Sequence, residues 1–188
     1  MRARYRIERL IALALAAALS APGQAAPVRG ARAPARAQCL PGETILYSGR
    51  FTRAVGSVCL SGDRVHYRYG PLGRPAIDVV SAEDWSNVHF GWITGGGGGY
   101  QRHVRFTVGT VSYVIFEGAY GNLTDFPGRR FSGIYVGSSD QAGSARDCLE
   151  RPFIAQSWTD TLIEHAPPAR RNDDSLHELQ DGPWDAWF

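Results

Sequence analysis

The stretch from residue 92 to residue 118 constrains the fold more than any other part of the chain. It contains five consecutive glycines at residues 95–99, which neither a helix interior nor a packed strand accommodates without a loss of stability. Residues 100–108 are then rich in β-forming side chains, Gly109 and Thr110 supply a two-residue turn, and residues 111–117 return. This order is typical of a β-hairpin, and we expect the other strands to pack on it.

The beginning of the chain has the three-part pattern of a secretory signal peptide. Four arginines precede an apolar run over residues 10–19, and small residues follow over residues 21–26. The apolar run is shorter than the roughly twenty residues that a membrane-spanning helix needs. We therefore predict a signal peptide over residues 1–25, no transmembrane segment, and a periplasmic or secreted protein.

The charge balance argues against a nucleic-acid partner. All twenty basic residues are arginines, and eighteen residues are acidic, which gives a formal net charge of +2. Without residues 1–25 the chain keeps 16 arginines against 17 acidic residues, a charge of −1, and residues 37–188 carry −4. A nucleic-acid reader should keep a basic face after this subtraction, and this chain does not.

Composition divides the rest of the chain into three parts. Residues 26–38 are rich in Ala, Arg and Pro, and we expect a disordered lead-in there. Residues 39–150 are predicted to form one β-rich domain of ordinary core size. Residues 151–188 are predicted to be a partly helical tail, with one helix over 154–165 and a second over 174–180, where Ser175 and Glu178 match a capping box.

Alternation of apolar and polar residues predicts short strands throughout the domain. Besides the hairpin, the predicted strands cover residues 44–51, 54–60, 64–69, 77–80 and 130–137, with a further pairing segment over 145–149. We interpret residues 81–94 as an irregular crossover. The predicted fold class is all-β, an antiparallel β-sandwich or a partly closed barrel with a short C-terminal helical tail.

The three cysteines predict one disulfide and one remaining thiol, because the export pattern places the chain in an oxidising compartment. We favour a bond between Cys39 and Cys148, which would join the start of the domain to its end. Pairing of Cys59 with either of them is the alternative, because spacing alone does not fix connectivity.

No catalytic or metal motif stands out in the sequence. The glycine run lacks the lysine and the helix of a phosphate loop, and the five histidines do not have metal-ligand spacing. Four carboxylates are candidates for glycoside hydrolysis, but their spacing supports no pair: Asp78, Glu83, Asp84 and Glu117. We predict a protein that is not an enzyme and that uses neither a cofactor nor a metal.

Three motifs resemble a family of small, exported, uncharacterised bacterial β-rich proteins. They are Val58-Cys59-Leu60-Ser61, Tyr67-Arg68-Tyr69-Gly70, and the glycine run with Tyr100-Gln101-Arg102 and its hairpin. The likeness covers residues 39–150. The family often has a cysteine where Gly49 stands, and its motif aromatic is displaced here, since His103-Val104 precedes Arg105-Phe106. The resemblance implies a β-rich fold in the cell envelope and implies no activity.

The overall plan is also similar to bacterial periplasmic lysozyme inhibitors. These are small exported β-proteins that insert a Ser-Gly loop, often ending in Tyr, into the cleft of the enzyme. In this chain either Gly98-Gly99-Tyr100 or Ser48-Gly49-Arg50 would have that role. The resemblance implies a protein partner such as a lysozyme.

The predicted function is binding, by an exported β-rich protein of the bacterial envelope. Tyr and Arg are favourable interface anchors, and the predicted binding residues surround the glycine run: Trp92, Gly98, Gly99, Tyr100 and Arg102. The alternatives are an envelope carbohydrate hydrolase, in which Glu117 and an Asp would meet in a cleft, and a purely structural envelope protein.

Overall fold

A computed structural model describes residues 36–138, 141–171, 177 and 178. These residues form two β-sheets, which confirms the predicted β-sandwich, and both sheets are open rather than closed into a barrel. The predicted signal peptide lies outside the described residues, as do residues 26–35 of the predicted lead-in and most of the predicted tail beyond residue 171. No helix within the described part of the chain is both long and apolar enough to cross a membrane.

The first sheet contains five antiparallel strands. They are β1 (Thr44–Phe51), β2 (Ala54–Ser61), β3 (Arg64–Gly70), β4 (Ile77–Val80) and β10 (Phe153–Ile154), in the order β10-β1-β2-β3-β4. Two-residue turns join β1 to β2 and β2 to β3, so this sheet is a meander that the late strand β10 extends at one edge.

The second sheet contains six strands in the order β11-β5-β6-β7-β8-β9. They are β5 (Val88–Thr94), β6 (Tyr100–Val108), β7 (Val111–Ala119), β8 (Arg130–Ser138), β9 (Gln141–Asp147) and β11 (His177–Glu178). Strand β11 is parallel to β5, and the other neighbours are antiparallel. Two short helices follow β10: α1 (Trp158–His165) and α2 (Pro168–Arg171).

The strands predicted over residues 44–137 from alternation are confirmed to within two residues at each end, including the central hairpin of β6 and β7. The pairing segment expected over residues 145–149 was placed too late, because β9 begins at Gln141, which pairs with Ser138 of β8. The interpretation of residues 81–94 as irregular was wrong from Val88 onward, where β5 pairs with β6 over seven residues. Gly91 interrupts the alternation of β5. It is accommodated because the His103 ring occupies the space where a Cβ would lie.

Two predictions about the tail were also wrong. The helix expected over residues 154–165 begins at Trp158, because Phe153 and Ile154 pair with Ser48 and Tyr47 of β1. His177 and Glu178 form a strand against β5 rather than part of a helix. The other residues of that expected second helix, 174–176, 179 and 180, lie outside the described residues.

The hydrophobic core lies between the two sheets. Tyr67 of β3 contacts Phe106 of β6, with ring centroids 5.9 Å apart, and Trp158 and Leu162 of α1 are buried against the same cluster. Burial of each large apolar side chain contributes about 1.5–3 kcal/mol. The helix therefore belongs to the core and holds β10 and the loop before α1 close to the sandwich.

The disulfide joins Cys39 to Cys59, and the predicted Cys39–Cys148 bond was wrong. Residues 36–39 run beside β2: the backbone N–H of Gln38 donates to Ser57 Oγ at 3.0 Å, and the Cys39 and Cys59 Cα atoms are 5.4 Å apart. Cys148 is a free thiol that follows β9 in the other sheet. Gln38, the last residue of the predicted lead-in, is buried.

Candidate functional site

The four central strands of the second sheet align their side chains in rows across the sheet. One row that faces the core is wholly apolar: Phe90, Val104, Ile115 and Ile134. On each strand, the side chain two residues away toward one common end of the sheet shares this face. These side chains form a second row that is mostly polar: Trp92, Arg102, Glu117 and Ser132. The inner face therefore changes from apolar to polar toward one end of the sandwich.

A cavity of about 720 Å³ opens at this polar row. The residues that matter most in its wall come from β6, β7, β8, the loop after β9 and α1: Tyr100, Arg102, Glu117, Ser132, Cys148 and Trp158. Cavities of roughly 300–1,000 Å³ are the usual size for small-molecule sites. The sandwich thus contains a concave site where its apolar core ends.

Glu117 is the buried carboxyl of this cavity, with 5% of its surface exposed. Burial raises the pKa of Glu117 above its usual value, and the positive charge of Arg102 opposes that rise without cancelling it. The Tyr100 hydroxyl donates to Glu117 Oε2 over 3.4 Å, and Arg130 Nη1 donates to Tyr100 Oη over 3.1 Å. Glu117 therefore keeps its proton to a higher pH than an exposed glutamate does.

Two buried N–H donors beside Glu117 have no hydrogen-bond partner in the described part of the chain: Arg102 Nε and Trp158 Nε1. The Trp158 indole lies close enough to Glu117 to lower its pKa slightly, but outside hydrogen-bond geometry. A buried donor without an acceptor destabilises a fold by about 1–3 kcal/mol. A ligand that brings oxygen acceptors to these two N–H groups would remove that penalty.

Arg102 is positioned by aromatic rings. Its guanidinium carbon lies 4.7 Å from the centroid of the Trp92 ring and 5.5 Å from that of Tyr100. Both distances fall within the range of a cation–π contact. The rings hold the guanidinium at the mouth of the cavity without using its N–H groups as hydrogen-bond donors.

A second cluster adjoins the cavity and consists of Ser132 and Cys148, which line it, and Tyr47, which contacts both. The Tyr47 hydroxyl lies 2.9 Å from Ser132 Oγ and 3.0 Å from Cys148 Sγ, and Ser132 Oγ also donates to the Phe116 carbonyl over 2.8 Å. Burial raises the pKa of both Tyr47 and Cys148. Cys148 is therefore held as a thiol, whereas a nucleophilic cysteine needs a lowered pKa.

The mouth of the cavity carries an excess of positive charge. Arg129, Arg130 and Arg151 line it in addition to Arg102. Of the carboxylates there, Glu150 already forms an ion pair with Arg50, at 2.8 Å. An approaching anion therefore meets arginine side chains before it reaches the buried Glu117.

The predicted binding residues divide into two groups in the structure. Tyr100 and Arg102 line the cavity, and Trp92 stacks on Arg102 with 60% of its surface exposed. Gly98 is exposed and Gly99 is buried, and neither lines the cavity. The aromatic and basic members of the predicted set are therefore together at the cavity, and the two glycines are not part of its wall.

The glycine run has a structural explanation in the loop that follows β7. Residues 96–98 form a short 3₁₀ turn, and the Asn122 N–H donates to the Gly97 carbonyl over 2.8 Å. A Cβ on Gly121 would lie 2.2 Å from the Gly96 carbonyl oxygen. The two loops therefore approach so closely that a side chain fits neither at Gly121 nor at Gly97, where a Cβ would lie 2.9 Å from the Asn122 backbone nitrogen.

Ser48, Gly49 and Arg50, the other segment suggested for a lysozyme contact, lie inside β1 rather than in a loop. Ser48 and Gly49 are buried. Tyr100, which would end the Gly98-Gly99-Tyr100 plug, turns its hydroxyl toward Glu117 in its own cavity. Neither segment projects from the surface as an inserting loop does.

Sequence reasoning missed the contributions of Ser132, Cys148 and Trp158 to this site. A signal for part of the site was present, because alternation along β6 places Arg102 on the same face as Val104 and Phe106. Glu117 shares a face with Ile115 in the same way. A charged residue on an otherwise apolar face indicates either a buried ion pair or a site.

One group of side chains among the described residues has the spacing of metal ligands: Cys39, Glu43 and Cys59. Both sulfurs of this group are joined in the disulfide and cannot act as thiolate ligands. The cavity itself presents one buried carboxyl and several cations, which is a poor arrangement for a metal ion.

No protein-family model, curated protein or solved structure matches this chain. The resemblances to envelope proteins and to lysozyme inhibitors therefore stay predictions.

Proposed function

We propose that this protein is an exported binding protein, and that its cavity holds a small ligand with an anionic oxygen group such as a carboxylate. The observation that carries the proposal is the pair of buried, unpartnered donors at the cavity wall, Arg102 Nε and Trp158 Nε1. Oxygen acceptors are the natural partners of such donors, and an arginine fork favours a planar carboxylate.

The walls of the cavity also suit a ligand with a ring-shaped body. Tyr100 and Trp158 line it, and both lie against Glu117. Aromatic rings offer apolar faces against which a sugar or another ring can pack, while polar groups fix its orientation. An acidic sugar combines both features and serves as a probe.

Binding is favoured over catalysis because the groups that usually carry catalysis are constrained here. Burial keeps Cys148 and Tyr47 protonated. Within the described residues that line the cavity there is no histidine to act as a base. Glu117 can then serve as a hydrogen-bond partner whose protonation adapts to the ligand.

The proposed compartment is the periplasm or the outside of the cell. The Cys39–Cys59 disulfide supports an oxidising environment. The signal-peptide pattern of residues 1–25 supports the same compartment from the sequence.

The experiment is isothermal titration calorimetry of the purified protein with D-glucuronate, with D-glucose as the uncharged control. We expect saturable binding of glucuronate only. Arg102→Gln should weaken it at least about tenfold, because a charged hydrogen bond contributes about 1.5–3 kcal/mol. Arg74→Gln, an exposed change in the loop between β3 and β4, is the matched control and should bind like the wild type.

Equal affinity of the wild type and Arg102→Gln would overturn the proposal, as would equal affinity for glucuronate and glucose. A protein partner is tested in parallel by adding the protein to a lysozyme lysis assay. Saturable inhibition of lysis, unchanged by glucuronate, would favour the lysozyme-inhibitor hypothesis instead.

A second candidate, carbohydrate hydrolysis, is favoured by one observation. Glu117 has the raised pKa of a general acid, and Asp147 lines the same cavity. However, Asp147 pairs with Gly133 whereas Glu117 pairs with Ser132, so the two carboxyls leave the sheet from opposite faces. Release of reducing sugar from an acidic polysaccharide, abolished in Glu117→Gln, would support this candidate.

A further inference from the structure

The loop between β7 and β8 forms an exposed apolar tip beside the mouth of the cavity. Leu123 is 83% exposed and Phe126 is 50% exposed. Single exposed apolar residues are common on protein surfaces. Two large ones within one short loop indicate an interaction site.

This tip is held in a defined conformation. The Thr124 hydroxyl donates to the Gly121 carbonyl over 2.8 Å, and the Gly128 N–H donates to the Tyr120 carbonyl over 2.9 Å. The rings of Tyr120 and Phe126 contact each other with centroids 5.8 Å apart. The exposure of Leu123 and Phe126 therefore belongs to the folded loop, and ordering the tip on a partner would need little further loss of entropy.

Two arginines lie on the C-terminal side of the tip. The Arg129 guanidinium lies 5.1 Å from the centroid of the Phe126 ring, and Arg130 follows it in the chain. Asp125 is the one carboxylate between residues 120 and 130, so this loop carries a net positive charge. The exposed Trp92 ring, stacked on Arg102, lies at the same end of the sheet.

We propose that this tip docks the protein on an anionic lipid surface. Leu123 and Phe126 insert between the headgroups, and Arg129 and Arg130 contact the lipid phosphates. Apolar and aromatic side chains flanked by cations match the chemistry of the membrane interface, where apolar groups enter the acyl boundary and cations stay with the phosphates.

A lipid surface fits this tip better than a protein partner does. Leu123 and Phe126 are two exposed apolar side chains with arginines beside them, whereas the centre of a protein interface is a packed patch in which aromatic anchors fill pockets. The charge also fits, because residues 37–188 are net acidic as a whole while this loop is basic. Docking would therefore be directional, with the mouth of the cavity turned toward the membrane.

The test is co-sedimentation of the full protein with vesicles of equimolar phosphatidylglycerol and phosphatidylcholine, compared with vesicles of phosphatidylcholine alone. We expect binding to the anionic vesicles that decreases as salt is added. The double variant Leu123→Ser, Phe126→Ser should lose at least about tenfold in the partition constant, because it removes the apolar groups that enter the acyl boundary. Val108→Ser, beside the turn at the opposite end of β6, is the matched control for an exposed apolar residue.

Equal sedimentation of the double variant and the wild type would overturn the proposal, and so would equal binding to both kinds of vesicle or to neither. Thermal unfolding of the double variant checks that it remains folded. Arg102→Gln separates this proposal from the proposed function, since it should lose glucuronate binding while the protein still sediments with anionic vesicles through its apolar tip.

Discussion

At Gly49 the backbone of β1 passes directly over the Tyr47–Cys148 contact. A Cβ at this position would lie 2.6 Å from Cys148 Sγ and 2.7 Å from Tyr47 Oη. Both neighbours are held by the hydrogen bonds of their cluster, so they cannot move aside freely. A single hydrogen in place of a methyl group therefore determines how closely the two sheets approach at the wall of the cavity.

Gly49→Ala should destabilise the protein by about 1–3 kcal/mol, the usual penalty for an overpacked interior. The measurement is the free energy of unfolding in urea, followed by circular dichroism. Gly96→Ala is the matched control, since its Cβ would meet only Leu123 Cδ1, at 3.6 Å, and its stability should stay close to that of the wild type. Equal stability of the two variants would contradict the packing described around Gly49.

Glu117 makes stability depend on pH in a predictable direction. Because burial raises its pKa in the folded state, folding is favoured most when the carboxyl is protonated, below its unfolded pKa of about 4.3. That contribution is lost as the pH rises through the higher folded pKa. Glu117→Gln should therefore gain stability relative to the wild type as the pH rises from about 4 to 7.

The measurement for Glu117→Gln is the midpoint of thermal unfolding across that pH range, compared with the exposed Glu83→Gln. The difference between Glu117→Gln and the wild type should grow with pH, while that for Glu83→Gln should stay nearly constant. A difference for Glu117→Gln that shrinks as the pH rises would show that the charged carboxylate is stabilised in the cavity.

At the scale of elements, Arg68 of β3 joins three parts of the first sheet. It is 3% exposed, and its Nη2 donates to Glu43 Oε1 over 3.0 Å, in the segment before β1. Its Nε donates to Asp78 Oδ2 of β4 over 2.9 Å. Burial alone would raise the pKa of Glu43 and of Asp78, but their hydrogen bonds and ion pairs with Arg68 leave both lowered.

Arg68→Met should destabilise the protein by about 3–5 kcal/mol, because it leaves Glu43 buried without a cation. The double variant Arg68→Met, Glu43→Leu should recover part of that loss. The lowered pKa values mean that this stabilisation is present above about pH 4 and is lost as the pH falls further, so Arg68→Met should also be less sensitive to acid than the wild type. Urea unfolding at neutral and acid pH measures both effects.

If Arg68→Met lowered the free energy of unfolding by less than about 1 kcal/mol, the Arg68–Glu43 pair would contribute no more than an exposed ion pair does. That result would contradict the prediction. Arg50→Met provides that comparison, because Arg50 pairs with Glu150 on the surface. Its stability should remain near that of the wild type.

The elements that the sequence predicted well are those whose pattern is local. Strands β1 to β4 and the β6–β7 hairpin alternate clearly and are bounded by turn residues, so their limits follow from short segments. Strand β5 was missed because Gly91 and Trp92 break its alternation. The disulfide was assigned to Cys148 because its geometry depends on which strand runs beside residues 36–39, and that is a tertiary contact.

At the scale of the whole molecule, the sandwich has an apolar interior that opens into a polar cavity at one end. The cavity depends on register, since Arg102 and Glu117 are opposite each other across β6 and β7, and Ser132 is next on β8. Trp158 joins them because α1 contacts β6 and places the indole in the wall of the same cavity. Sequence patterns could propose Tyr100 and Arg102 as binding residues, but they could not assemble the site.

The measurement that tests the central claim most directly is a ¹⁵N-edited NMR titration of the protein with D-glucuronate. Trp158→Phe assigns the Trp158 indole N–H, and Arg102→Gln assigns the Arg102 Nε–H. Both resonances should shift and saturate together as glucuronate is added, and D-glucose should move neither. The proposed carboxylate site would be contradicted if both resonances stayed in place while glucuronate shifted signals elsewhere in the protein, or shifted none.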